Sequence, residues 1–425
     1  MNRIVIYIFC LLIIPVGCRS PKSLVKPSVI NLSNMYNPTN TRLHPAFAIY
    51  NDTPATSLLL IKIFPAELLY SGTIEPNKLL GQVGISYVLT DITNKEQPVI
   101  ADSGKTTLTF LRENADKRYQ TQLPINTDAG KQYQLAVTAR DLVRRSESLT
   151  YLYIDKSQPY SAQNFLIMNP EDRLPQYDPY VIGNRTIKLD YSFEGYDKVF
   201  VSYYGKEIPL PKPSFSLNQE KEYFDRPDSV WVLPLSKNVQ YQLNYQGVYY
   251  FQPDTTIKAG LTLMNFGESY PRVQQVTQLI EPLAYLATSV EYESLKKATN
   301  QKLAIDNFWL EKAGNIEKAR ELIRVYYNRV YFANYYFTSF KPGWKTDRGM
   351  IFIIYGPPQA VKETPTQEKW IYYKNNYSTT VTFTFDHVPS AYAYDNYVLQ
   401  RSDSYDTYWR AAVDTWRRGN IYLIE

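Results

Sequence analysis

Between residues 44 and 264 the apolar residues of this chain fall in short runs with no helical period, and that constrains its fold more than any other feature. The first runs are Ser57-Leu58-Leu59-Leu60-Ile61-Lys62-Ile63-Phe64, Val83-Gly84-Ile85-Ser86-Tyr87-Val88-Leu89 and Thr107-Leu108-Thr109-Phe110. Gln132-Tyr133-Gln134-Leu135-Ala136-Val137 and Leu149-Thr150-Tyr151-Leu152-Tyr153-Ile154 follow. Turn residues such as Asn51-Asp52 and Thr127-Asp128-Ala129-Gly130 part them. Runs of about 4–8 residues rich in β-branched and aromatic side chains, bounded by turn signals, read as strands. Residues 44–158 are therefore expected to form an antiparallel β-sandwich, Ig-like at about 100 residues. Thr186-Ile187-Lys188-Leu189-Asp190-Tyr191, Lys198-Val199-Phe200-Val201-Ser202-Tyr203 and Val230-Trp231-Val232-Leu233 predict a second such domain over 159–268. The polar stretch 155–163, with Pro159, reads as the linker between them. No convincing sequence repeat relates the two blocks.

Beyond residue 268 the period changes. Thr288-Ser289-Val290-Glu291 has the form of a capping box. Asn300 caps a second helix that stops at Gly314, and Asn315 caps a third reaching Phe337. Ala319, Leu322, Tyr326, Val330, Ala333 and Phe337 lie three or four apart and mark its buried face. Residues 269–338 are thus a helical segment, and 339–425 a small α+β domain. In the latter, 350–355 is a continuous apolar run expected as a central strand. Residues 370–373 form another strand, and 379–385 alternates with Val381, Phe383 and Phe385 on one face. Asn375-Asn376 is the expected turn between them. Residues 403–418 read as a last helix on Trp409, Val413 and Trp416 with Gly419 as its stop, and 420–425 as a final edge strand.

Between the long helix and the apolar run stands Gly343-Trp344-Lys345-Thr346-Asp347-Arg348-Gly349, and after the run Tyr355-Gly356-Pro357-Pro358. These residues, with Trp370-Ile371-Tyr372-Tyr373, resemble the GWxTD domain over roughly 270–425. That family occurs in bacterial envelope proteins, often lipoproteins of Bacteroidota-type organisms, so the resemblance implies a location and domain limits; it implies no reaction. Read from the residues alone, Gly343 and Gly349 suit a positive φ or a close backbone approach. Thr346 and Asp347 suit the capping of backbone N–H groups, Trp344 anchors the loop, and Arg348 pairs with Asp347 or a neighbouring carboxylate. The motif is expected to be a rigid loop, structural or binding, that includes Gly356, Pro357 and Pro358. A catalytic Asp347 is the competing reading, but no second carboxylate or base stands at motif spacing.

The N-terminus bears on location. Met1-Asn2-Arg3 is positive and 4–16 is an apolar run of 13 residues. At about 1.5 Å per residue that run reaches only ~20 Å, short of a ~30 Å hydrocarbon core, so 1–17 reads as a signal peptide. Of the two cysteines, Cys10 would leave with it. Cys18 then has no disulfide partner, and Ile13-Ile14-Pro15-Val16-Gly17-Cys18 resembles a lipobox, departing at Pro15 where a Leu-like residue is usual. Cys18 is expected to be the lipidated first residue, with 18–43 as a tether.

Composition excludes more than it assigns. Lys+Arg 46 against Asp+Glu 41 is no electrostatic footprint for nucleic acid. His44 and His387 are the only histidines, neither with a ligand partner at metal spacing, so neither metal nor cofactor is expected. No nucleophile elbow, phosphate loop or dinucleotide fingerprint appears. The expectation is a lipid-anchored envelope protein, on the outer rather than the inner membrane, acting without catalysis by binding other envelope proteins. The alternative is a glycan-binding lipoprotein using tyrosines such as those in Gln246-Gly247-Val248-Tyr249-Tyr250-Phe251, and a distant one is a hydrolase centred on Asp347.

Overall fold

The computed structural model describes residues 33–36, 43–72, 78–171, 173–217, 224, 226–235, 239–364, 366–373, 380–388, 390–393 and 396–423. The signal segment, Cys18, most of the tether and the Asn375-Asn376 turn lie outside them. The chain is multidomain, rich in antiparallel sheet, with its helices in the C-terminal part.

Two sheets share the first core. Ala46–Thr53, Thr56–Ile63 and Tyr119–Asn126 form a three-stranded antiparallel sheet in which Leu59 faces Ile49 on one side and Leu123 on the other. Leu79–Asp91 is the centre of a five-stranded sheet with Ser71–Gly72, Val99–Leu111, Gln132–Asp141 and Glu147–Asp155. Side chains alternate in and out of a pleated strand, and Val83, Ile85, Tyr87 and Leu89 accordingly meet Leu59, Ile61 and Ile63 in the core. The second unit repeats the three-plus-five plan. Phe165–Met168, Arg185–Tyr191 and Gln240–Leu243 make the smaller sheet; Leu261–Asn265, Gly247–Gln252, Lys198–Tyr204, Ser229–Pro234 and Tyr180–Val181 make the larger. The Tyr180–Val181 pairing is parallel. Tyr249 and Phe251 are buried in the core between its sheets, and Tyr250 on the opposite face joins a second cluster with Tyr204 and Phe224. The 246–251 stretch is therefore packed on both faces and offers no exposed stacking platform.

The stretch read as a linker is pinned instead. Asn51 Nδ2 donates to Asp155 O and to Asn164 Oδ1, both at 2.9 Å, and Asn164 is fully buried. Lys156 Nζ donates to the Thr53 and Thr56 carbonyls. Linkers and hydrogen-bonded corners share one composition, because the same Asn, Asp, Ser and Gln side chains that favour water also satisfy backbone groups.

The helices are α1 (Val276–Ile280), α2 (Ser289–Lys297), α3 (Gln301–Ala313), α4 (Ile316–Phe337), α5 (Asp347–Tyr355) and α6 (Asp406–Arg417). The caps fall at the residues expected of them. Thr288 and Glu291 form the capping box, Asn300 and Asn315 accept from the third residues of α3 and α4, and Gly314 takes a φ of 77°. The stripe of α4 is buried throughout. Ala360–Glu363, Gln367–Tyr373, Thr380–His387 and Tyr397–Leu399 form a four-stranded antiparallel sheet. The helical segment and this sheet share one core, from Ile280 to Trp416, in place of the separate segment and domain expected.

Two sequence expectations fail here. The 350–355 run is the body of α5, and every residue of α5 is buried. A fully buried helix and a buried strand both show as unbroken apolar runs, and here the Thr346 cap and Asp347 in the first turn decide for helix. Residues 420–423 form no strand; the Tyr422 carbonyl accepts from the Arg329 guanidinium at 3.0 Å. Among the described residues no helix is long and apolar enough to cross a membrane.

Candidate functional site

The motif begins where α4 ends. Gly343–Lys345 is one 3-10 turn, and Thr346 caps α5, its Oγ1 accepting from Gly349 N at 3.0 Å and donating to Gly343 O at 2.7 Å. Both glycines serve close approach. A Cβ on Gly343 would lie 2.0 Å from Ala333 O, and one on Gly349 would lie 1.9 Å from Gly343 O. The turn thus rests on α4, and α5 rests on the turn. Gly356, at the other end of α5, differs: its φ is 83°, and the Arg329 guanidinium lies against it. Arg329 Nη1 donates to Ile353 O at 3.0 Å and Ile354 O at 3.1 Å, so a buried cation caps the negative end of α5. Burial pushes that guanidinium down to about 10, still charged at neutral pH. Pro358 is buried beside it, Pro357 half-buried, and Gly356 O accepts from the Tyr372 hydroxyl at 2.9 Å.

Trp344 packs into the domain below the turn. It is 6% exposed, its N–H donates to Asn334 Oδ1 at 3.0 Å, and its carbonyl accepts from Tyr285 at 2.7 Å. The two charged residues that follow do not pair with each other. Asp347 takes Arg401 bidentately, at 2.6 and 3.1 Å, and the Leu399 N–H at 2.8 Å. Arg348 pairs with Glu368 at 3.1 Å and lies over the Tyr397 ring at 3.9 Å. Glu368 is 1% exposed and also accepts from the Trp370 indole. The side chains of Asp347 and Arg348 point to different strands, so adjacency in sequence gives two separate bridges across the domain.

Two segments from outside the domain close over this turn. Lys345 Nζ donates to Ile208 O at 3.1 Å, Arg401 Nη2 to Lys212 O at 3.1 Å, and Ser402 N to Ser214 O at 3.2 Å, all on one loop of the second β unit. From the N-terminal side, 33–36 is a 3-10 turn rather than free tether. Its Tyr36 ring packs 5.1 Å from Phe337 and 5.4 Å from Trp370. Burial, with Glu368 adding, pushes the Tyr36 phenol well above its ordinary value. What remains open beside Asp347 is a cleft of about 40 Å³ between Phe337, Thr346, Arg348 and Tyr397. That is room for about one water.

The geometry brings together Gly343, Trp344, Thr346, Asp347, Arg348 and Gly349, and sets Gly356 and Pro358 at the far end of α5. Sequence reasoning missed Glu368, Arg401, Tyr36 and Arg329. Two were legible: Glu368 shares the period-two face of Trp370 and Tyr372, and Arg329 falls three after Tyr326 and four before Ala333. Arg401 and Tyr36 carry no local signal. His44 sits with Glu67 at 3.1 Å, and His387 stacks on Tyr397. The neighbouring Asp386 accepts from Gln367 and Gln400, so it does not orient the imidazole. Among the described residues no three His, Cys, Asp or Glu side chains are grouped to hold a metal.

Residues 247–418 match the family profile of the GWxTD domain, so the domain takes in the last strands of the second β unit as well as the helices and sheet around the motif. No curated protein matches the sequence. Among solved structures, a Bacteroides uniformis beta-glucuronidase 2, covalently bound to cyclophellitol-6-carboxylate aziridine, is similar over 30% of this chain and 16% of its own, at 11% identity and a TM-score of 0.17. A likeness that loose speaks for neither fold nor activity.

Proposed function

We propose that this chain is a lipid-anchored component of a Bacteroidota-type cell envelope, on the outer membrane, that acts without catalysis as a scaffold for other envelope proteins. The observation that carries the reading is the commitment of the motif's polar groups. Asp347 meets three donors, Arg348 and Glu368 hold each other, and Lys345 and Arg401 reach the 208–214 backbone. Such a site fixes domains relative to one another and leaves no carboxylate poised for a proton transfer. The two β units, as Ig-like spacers, then present their edges at fixed positions. Ser33 stands fifteen residues after Cys18. At ~3.3–3.6 Å per extended residue, a lipidated Cys18 would keep the C-terminal domain within about 50 Å of the membrane surface.

Fractionation tests the anchor. Cys18→Ala is expected to move the protein from membranes to the soluble periplasm, since each buried methylene of the acyl chains contributes ~0.8 kcal/mol; equal retention of both forms counts against it. Affinity purification from detergent-solubilised envelopes tests the scaffold. Stable co-purifying outer-membrane proteins are expected, and a preparation without any would overturn the reading.

A further inference from the structure

One cleft lies apart from the motif and shares no lining residue with it. Between the three-stranded sheet of the first β unit and the 167–187 region of the second lies a cavity of about 250 Å³. Its walls carry Lys62, Arg118 and Arg185 against a single described carboxylate, Asp178. That carboxylate is already engaged: Lys62 Nζ, 7% exposed, donates to both its oxygens at 3.2 and 3.4 Å. Arg118 and Arg185 are exposed at the mouth. Arg118 lies 5.6 Å over the Phe64 ring, and Arg185 Nε donates to Ile182 O at 3.2 Å. Among the described residues neither guanidinium meets a carboxylate, so both keep terminal N–H donors for a ligand. Gln120 Oε1, buried in the wall, has no donor among the described residues, and Leu174 supplies an apolar surface that is 43% exposed.

We propose that this cleft binds a small hydroxylated organic acid with the size and chemistry of an acidic monosaccharide. A planar fork of donors is matched by a carboxylate. The amide side chains of Gln120 and Asn169 in the lining are matched by hydroxyls, and Leu174 by the apolar face of a ring. The volume sits just below the roughly 300–1,000 Å³ of sites for larger ligands, which sets the scale at one sugar. The inference is independent of the scaffold reading, since it uses no residue of the motif.

Calorimetric titration of the detergent-purified full chain with galacturonic acid tests it, with galactose and inorganic phosphate as the other arms. Saturable binding of galacturonate is expected, with no measurable binding of galactose. Arg118→Ala and Arg185→Ala should each weaken it by about tenfold or more, and Arg185→Lys by less, because an ammonium keeps the charge but loses the fork. Thermal melts show whether each variant is folded. Absence of saturable galacturonate binding, equal affinity for galactose, equal affinity for phosphate, or indifference to both arginine substitutions would each overturn the proposal.

Discussion

The motif turn and the cleft between the β units are built on opposite terms. At the turn, Lys345, Asp347 and Arg348 are 5 to 8% exposed and every one is bonded to another element. In the cleft, cations outnumber the described carboxylates and two of them face water. A conspicuous sequence signature marks the first, and none marks the second. Buried charges survive only when paired and hydrogen-bonded, so a motif of charges inside a core must specify its partners closely. Exposed arginines carry no such constraint, and their alignment at one mouth is visible only in three dimensions.

The contrast predicts a graded response to mutation. The largest loss belongs to Gly349→Ala. Its Cβ would meet the Gly343 carbonyl at 1.9 Å, and backbone cannot yield as a side chain does. A cost of about 3 kcal/mol or more is expected in denaturant unfolding. Gly72→Ala, with nothing within 4 Å, serves as the near-neutral control. A Gly349→Ala protein as stable as the control would break the close-packed account of the turn.

Next comes Arg348→Met, which strands Glu368 at 1% exposure with only neutral donors. Removing one partner of a buried pair leaves the other stranded, and with the Trp370 indole still donating to Glu368 the expected loss is about 2–3 kcal/mol. The Glu368→Gln, Arg348→Met double variant should recover part of it, because it removes the stranded charge. No recovery would mean that packing on Tyr397 and Phe337, and not the ion pair, holds Arg348 in place.

A smaller and pH-dependent effect belongs to Glu291, which joins α2 to α3 and α6. Burial alone would raise its carboxyl, but hydrogen bonds from Arg417 and Lys312 and from the Thr288 N–H outweigh it and hold the group well below its ordinary 4.5. A depressed folded value means that the unfolded chain binds the proton more readily, so the stabilisation is complete above about pH 4.5 and is lost as pH falls below it. Melting temperatures of wild type and Glu291→Gln should converge on acidification; parallel curves would refute the linkage.

The smallest change is expected in the cleft. Arg118→Ala and Arg185→Ala should shift stability by no more than about 0.5 kcal/mol, as exposed side chains without ion-pair partners do. A loss comparable to that at the turn would make the cleft a structural joint, and the comparison would collapse.

What the sequence made legible follows the range of the interactions. Alternation marked the strands, and caps at Thr288, Asn300 and Asn315 marked the helix starts, because both are local. The 350–355 run misled because a buried element shows no period. Its own Thr346 cap was read as a loop acceptor when it was also a helix start. Trp344 is buried, and the two motif glycines lie where backbone passes close. Their reasons were not legible: close approach requires knowing that α4 passes beneath them. Arg348 was read as pairing with Asp347 or another carboxylate, and Asp347 as a backbone acceptor, but which partners they take was hidden, since Arg401 and Glu368 stand 54 and 20 residues away. Arg401, Tyr36 and the loop at 208–214 reach the turn through tertiary packing alone.

The central claim is that Asp347 is a structural acceptor, and a double-mutant cycle measures it directly. Wild type, Asp347→Ala, Arg401→Ala and the double variant of the full chain would be unfolded in denaturant at neutral pH. Each single variant removes one side of the bidentate pair, so the cycle should return a favourable coupling of about 1–3 kcal/mol between the two side chains. A coupling near zero, with Asp347→Ala as stable as wild type or more so, would contradict the account and mark Asp347 as a carboxylate held in place for chemistry.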